Sequence, residues 1–325
     1  MKLGGLFPVD SKTSLMDRIK FFIKVIKKSF TDWLDSPATR DAAALAYNAI
    51  FSIPGLLIIV IWVAGIFFGE EAIRGEITRA VGSMMGRDVG KSVEDMVVGG
   101  MIDRENWWMK AFGVGTLVFG ATALFFQLQK SLNALWGVEA APKKAWQKYI
   151  LDRASSLGMI LIIAFLLLIT LLLSSIIGLA NDWIARQFGL ETLLLVQIFN
   201  FLISFSVVWL LFMLMFKILP DVEISFKSVW IGALVTTILF TLGKYLLSIY
   251  FDEFNPTSAF GTAGTVILLM MWVNYTCQII FFGAEFTKIY ANEKGHYIKP
   301  SRHAKWLTPR DKDESVYSAP ENQMI

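Results

Sequence analysis

The run from Leu157 to Leu179, LGMILIIAFLLLITLLLSSIIGL, carries no charge, and five further segments are nearly as apolar. These runs limit the fold more than any other feature of the chain. A backbone in hydrocarbon must satisfy its own N–H and C=O groups, so a lone segment crosses as a helix, and about 20 mostly apolar residues span the roughly 30 Å core. Six segments qualify: Leu45 to Phe68, Ala111 to Gln129, Leu157 to Leu179, Leu193 to Phe216, Val229 to Tyr250 and Ala263 to Ala284. The expected fold is all-α, a polytopic bundle of about six transmembrane helices. Composition agrees, since 55% hydrophobic residues, 18% charged residues and a mean hydropathy of +0.56 lie outside the soluble globular range.

The basic residues sort by side. One set of alternate connections holds eight, five, two and seven Lys and Arg, while the other holds six, one and none. Cytoplasmic connections carry the excess. That places inside the N-terminus, the loop with Lys143, Lys144, Lys148 and Arg153, the Lys217 to Lys227 turn and the C-terminal tail, so both termini are expected in the cytoplasm. The start, MKLGG, leads into polar residues rather than an apolar core of signal length, and the first span is expected to remain as an anchor. The single cysteine, Cys277, lies within an apolar run, which excludes an intrachain disulfide and a cysteine-based metal site.

Three regions follow. Residues 1–40 form an N-terminal cytoplasmic segment in which Leu15 to Asp35 places Ile19, Phe22, Val25, Ile26, Phe30 and Trp33 on one arc and Lys20, Lys24, Lys27 and Lys28 on the rest. Such a helix either lies on the cytoplasmic leaflet or packs on the end of the bundle, and the sequence leaves both open. Residues 41–290 form the transmembrane domain. Its outer loop, 69–110, is too long to lack structure of its own; EITRAVGSMM and GKSVEDMVV have helical spacing and predict one or two short capping helices. Residues 291–325, with Pro309, Pro320 and mixed charges, read as a disordered cytoplasmic tail. No internal repeat supports an inverted-repeat transporter.

Polar side chains in lipid cost free energy unless they face one another or a wet cavity. Here they form stripes. Span four carries Gln197, Asn200 and Ser204; span five carries Thr237, Thr241, Lys244 and Ser248; span six carries Asn274, Gln278 and, at its inner end, Glu285. Span two ends with Gln127, Lys130 and Ser131 on one side and Gln129, Asn133 and Trp136 on another. Each set shares a helix face. The plain reading is hydrogen bonding between helices; the functional one is a substrate path. Lys244 stands out, because a lysine at a helix centre costs about 3 kcal/mol on insertion scales, less where its stem snorkels. Pro54 favours a kink in span one, where Asn48 and Ser52 could satisfy the freed backbone groups, and Gly65 with Gly69 could mark a close helix contact.

Several chemistries are not encoded. His296 and His303 lack partner ligands at zinc spacing, no GxxxxGK[ST] run is present, and no nucleophile with a base or paired carboxylates can be assembled. From Glu285 onward seven basic residues face six acidic ones, a poor footprint for nucleic acid. No cofactor, no metal and no nucleic-acid partner is expected; membrane lipids, anionic head groups among them, are, and a homo-oligomer is compatible with the sequence.

The stretches RDAAALAYNAIFSIPGLL, LFFQLQKSLNALWGV, LPDVEISFKSVWIGA and SAFGTAGTVILLMMWVNYTCQIIFFGAEFTKIYA, in that order, resemble the pattern of the YihY family, also called the virulence factor BrkB family. The most specific pieces are Leu132 to Trp136, of the form Leu-Asn-x-x-Trp, and Gly283 to Glu285. The resemblance covers about residues 30 to 295 and implies a bacterial inner-membrane protein with six spans. Members have carried the name ribonuclease BN, whose histidine-rich metal motifs this sequence lacks; others are linked to serum resistance or to export of lipids or small anions. By the same resemblance the family positions are Arg40 and Asp41 at the entrance of span one, Asn133 and Trp136 ending span two, and Glu285 ending span six. Arg40 would attract an anionic head group or pair with Asp41 or Glu285. Phe260-Gly261 stands where the family often has Tyr-Gly, which removes a hydroxyl there.

Two functions follow as expectations. The first is a transporter or flippase-like exporter of a lipid or small amphipathic anion, with Lys244 or Arg40 offsetting substrate charge. The second is a non-transporting membrane scaffold for envelope integrity. A membrane-bound hydrolase or ribonuclease ranks far below both.

Overall fold

A computed structural model of the chain describes residues 15–85, 87–99, 107–141, 154–166, 191–254 and 262–307. Helix α1 (Leu15–Asp35) precedes α2 (Ala38–Phe68), the short helices α3 (Glu70–Met85) and α4 (Arg87–Gly99), and α5 (Trp107–Leu135). Strand β1 (Val138–Ala140) leads towards α6, described over Ala154–Leu166. Then come α7 (Glu191–Ile218), β2 (Val222–Glu223), α8 (Phe226–Phe254), α9 (Thr262–Glu293), β3 (Lys299–Pro300) and β4 (Ala304–Trp306).

The chain is an all-α membrane protein. Among the described residues, Ala38–Ile66, Phe201–Ile218, Phe226–Tyr250 and Gly264–Glu293 are long and apolar enough to cross a bilayer. They coincide with the first, fourth, fifth and sixth expected spans. The second lies within α5, and of the third the part to Leu166 is described. The helices outrun the spans at their polar ends: α2 starts at Ala38 rather than Leu45, and α9 runs on past Ala284 to Glu293. Hydropathy marks where lipid stops, whereas helical hydrogen bonds continue into the head-group region.

Helix α9 is the organising element, packed against α1, α2 and α8. The largest core cluster joins Leu45, Ile58 and Ile61 of α2, Leu132 of α5, Phe216 of α7 and Phe281 of α9. Helix α2 passes Pro54 without interruption. Gly65 and Gly69 do not mark a contact between spans. Gly69, at φ +84°, turns the chain out of α2 and donates its N–H to the Gly65 carbonyl at 2.8 Å, and Gly65 lies against Glu70 at the start of α3.

The expected capping helices are present as α3 and α4. Arg74 pairs with Glu94 at 3.5 Å, and Thr78 Oγ1 donates to the same carboxylate at 3.2 Å. Val89 and Val93 of α4 pack with Leu268 and Leu269 of α9, so the pair closes over that end of the bundle. At the opposite end α1 lies against α9, with Val25 packed on Phe286 and Ile289 and Lys24 paired with Glu293 at 2.8 Å. Of the two placements the sequence left open for α1, packing on the bundle is met on this face.

The expectation of a disordered tail over 291–325 is corrected for residues 291–307. Helix α9 continues to Glu293, β4 pairs with β1 in the register Val138↔Trp306, Glu139↔Lys305 and Ala140↔Ala304, and β3 pairs with β2. Ile298 and Leu307 are buried. Strands of two or three residues are too short to show alternation, and their partners lie in connections far away in sequence, so the tail alone carries no sign of its order. Residues 308–325 lie outside the described residues.

Candidate functional site

Where α5, the α7–α8 connection and the last turns of α9 converge, polar groups bond across elements. Asn133 Nδ2 donates to Asp221 Oδ2 at 2.8 Å, and the Asp221 N–H donates back to Asn133 Oδ1 at 2.7 Å. Trp136 Nε1 donates to the Ala284 carbonyl at 3.0 Å. Lys288 Nζ donates to the Leu135 carbonyl at 3.1 Å and pairs with Glu285 at 2.9 Å. Glu285 is only 2% exposed, and a carboxylate so deep requires a compensating charge, which Lys288 supplies from one turn further on. The tail adds two strand pairings and the Lys305–Glu139 ion pair at 2.6 Å. Arg40, 69% exposed, pairs with Asp41 at 3.6 Å and not with Glu285.

Helices α8 and α9 meet along a seam of small residues. A methyl group at Gly232 would overlap Thr287 Oγ1, one at Gly283 would overlap Thr236 Oγ1, and one at Gly243 would overlap the Tyr275 hydroxyl. The pairs 232/287, 236/283 and 243/275 run in opposite directions, so the helices are antiparallel and glycine alternates with threonine across the contact. Each threonine also donates to its own helix, Thr236 to the Gly232 carbonyl at 2.8 Å and Thr287 to the Gly283 carbonyl at 2.6 Å. Small residues let backbones approach where no hydrophobic force distinguishes helix from lipid. Helix α7 joins α8 differently, through Trp209, whose Nε1 donates to the Trp230 carbonyl at 3.1 Å with the two rings edge to face at 4.1 Å.

Within the spans several stripe members bond within their own helix. Thr237 Oγ1 donates to the Ala233 carbonyl at 2.8 Å, and Gln278 Nε2 donates to Asn274 Oδ1 at 2.6 Å on the same helix. Asn48 and Gln127 are half-buried on α2 and α5. The Asn200 and Gln197 side chains lie outside the described residues. Lys244 is the charge inside a span. It is half-buried on α8 and makes no hydrogen bond or ion pair among the described residues. The six expected spans contain no other basic residue and no carboxylate.

The structure thus gathers Asn133, Trp136 and Glu285 at one end, keeps Arg40 with Asp41, joins Asn274 to Gln278, and leaves Lys244 without a partner among the described residues. The pattern of the virulence factor BrkB family matches residues 30–307. The chain belongs to that family. Similar curated proteins are the UPF0761 membrane proteins of Saccharophagus degradans, 25% identical over 84% of this chain, Psychromonas ingrahamii, 24% over 84%, and Mannheimia succiniciproducens, 27% over 77%. The match covers 61% of the first of these, 89% of the second and 84% of the third. No solved structure matches. Family and architecture together make this BrkB-family chain a multi-pass bacterial membrane protein.

Sequence reasoning missed Asp221 and Lys288. Asp221 lies in LPDVE, a stretch that carries the family resemblance, but its partner is 88 residues away. Lys288 had a readable signal, since it stands three residues after Glu285 and reaches it from the same helix face.

Proposed function

We propose that this BrkB-family protein moves a lipid or small amphipathic anion across the membrane, with Lys244 as the cation that offsets substrate charge. The observation that carries this reading is the state of Lys244: a charge within a span, half-buried, with no carboxylate in any expected span to neutralise it. Lysine in lipid is costly enough that one with no partner among the described residues points to a use. Both termini lie in the cytoplasm, as the basic connections require. In a Cys277→Ser background a single cysteine at Lys144 is then shielded from an impermeant reagent in intact cells, and labelling there contradicts the orientation. For transport, membrane lipids and secreted anions are compared between a deletion strain complemented with the parent gene and one complemented with Lys244→Met. The lysine variant should leave the deletion profile unrestored at equal protein level; full restoration removes Lys244 from the path.

A second reading, a non-transporting scaffold, is favoured by the self-satisfied stripes, above all the Asn274–Gln278 bond. It expects both Lys244→Met and Asn274→Leu to be silent in that complementation.

A further inference from the structure

Helix α1 has three sectors, and only one of them faces the bundle. Val25 and Ser29 are buried, with Val25 against α9, and Phe21 and Phe22 lie near the Tyr290 ring at 6.0 and 6.1 Å. A second sector, Ile19, Ile23, Ile26, Phe30 and Leu34, repeats at i, i+4, i+7, i+11 and i+15 and is 46% to 59% exposed. On its border away from α9 stand Lys20 and Lys27, both exposed and without an ion pair among the described residues. At 100° per residue, stripe and lysines adjoin, so both can meet one surface at once.

We propose that this surface is an anionic lipid leaflet, with the stripe among acyl chains and Lys20 and Lys27 on head-group phosphates. Position and charge both select that occupant. Helix α1 packs beside the last turns of α9, where that membrane-crossing stretch ends at Glu293, and Lys24 and Lys294 tie the two together, the first to Glu293 and the second over the Phe21 ring at 4.6 Å. An apolar sector held at the head-group level sinks into the acyl boundary beneath it, and amines on its border meet phosphate. The inference does not depend on transport.

The test uses the full chain in lipid nanodiscs, in the Cys277→Ser background, with Ile23→Cys carrying an environment-sensitive fluorophore. Two nanodisc sets are compared at equal lipid ratios, one with brominated phosphatidylglycerol among phosphatidylcholine and one with the bromine on the phosphatidylcholine. Both should quench the label, the anionic lipid at least about twofold more strongly, since each lysine near an anionic surface favours it about fivefold. Lys20→Gln with Lys27→Gln should equalise the two while quenching persists. Equal quenching in the parent protein overturns the anionic preference. A label that no lipid quenches overturns the lipid contact, and is the result expected if a protein or second copy covers the stripe.

Discussion

The two kinds of polar site in this molecule are built on opposite rules. At the end that carries α1 and the strands, polar groups reach between elements: Asn133 to Asp221, Trp136 to Ala284, Lys288 to Leu135. Inside the spans most of the polar side chains that bond do so within one helix, as Thr236, Thr237 and the Asn274–Gln278 pair do, with the Trp209–Trp230 bond crossing from α7 to α8, and Lys244 has no partner among the described residues. Bonds between elements hold a tertiary arrangement; bonds within a helix and lone charges add nothing to it. The end cluster is therefore where polar bonds fasten the fold, and Lys244, which fastens nothing among the described residues, is free to serve something else.

The seam between α8 and α9 gives the largest effect by which this contrast can be sharpened. Gly283→Ala should destabilise the protein by about 2 to 3 kcal/mol, because the added methyl would overlap the Thr236 side chain from Oγ1 to its Cβ at 2.9 Å, too near the root for a rotation to relieve. Adding Thr236→Gly should recover most of the loss in a detergent melt. A silent Gly283→Ala would show that the helices are not in such close contact. Next, Asn133→Ala should cost about 2 kcal/mol, since it removes the hydrogen bonds to the Asp221 carboxylate and to the Asp221 backbone N–H at once. In a double-mutant cycle with Asp221→Ala the two should couple by about 1 to 3 kcal/mol; additivity would mean that the end cluster fastens nothing there.

Smaller effects follow. Trp136→Phe keeps one aromatic ring but loses the pyrrole half of the buried indole and its hydrogen bond, so about 1 to 2 kcal/mol is expected from the same melt. Lys305→Glu, on an exposed strand pair, should cost less than about 1 kcal/mol and lose even that in high salt. If it cost more than Trp136→Phe, the tail strands would rank above the Trp136 bond in holding the fold.

Much of the architecture is legible in residue order. Helix α1 coincides with the amphipathic stretch Leu15 to Asp35, and α3 and α4 occupy the loop whose spacing called for them. Side-chain period and apolar run length are local properties, and local properties survive in a sequence. The clasp is not local. Asn133 and Glu285 could be picked from the family pattern, yet Asp221 and the strands at 299–300 and 304–306 depend on partners that only the folded chain brings near. The Gly232 and Gly283 seam was hidden for a related reason: glycine in a membrane helix is common, and what makes these two critical is the threonine opposite each. Lys244 is conspicuous in the sequence because charge in an apolar run needs no partner to be noticed.

The contrast between fastening and function is tested most directly by Lys244→Met in purified form, reconstituted into vesicles with a fluorescent anionic phospholipid and compared with the parent protein for both melting and lipid movement. The predicted result is an unchanged or slightly raised melting temperature together with at least about a tenfold loss of movement, the equivalent of 1.4 kcal/mol in the barrier. A variant that moves lipid as fast as its parent, or that melts well below it, would contradict the assignment of Lys244 to function rather than to the fold.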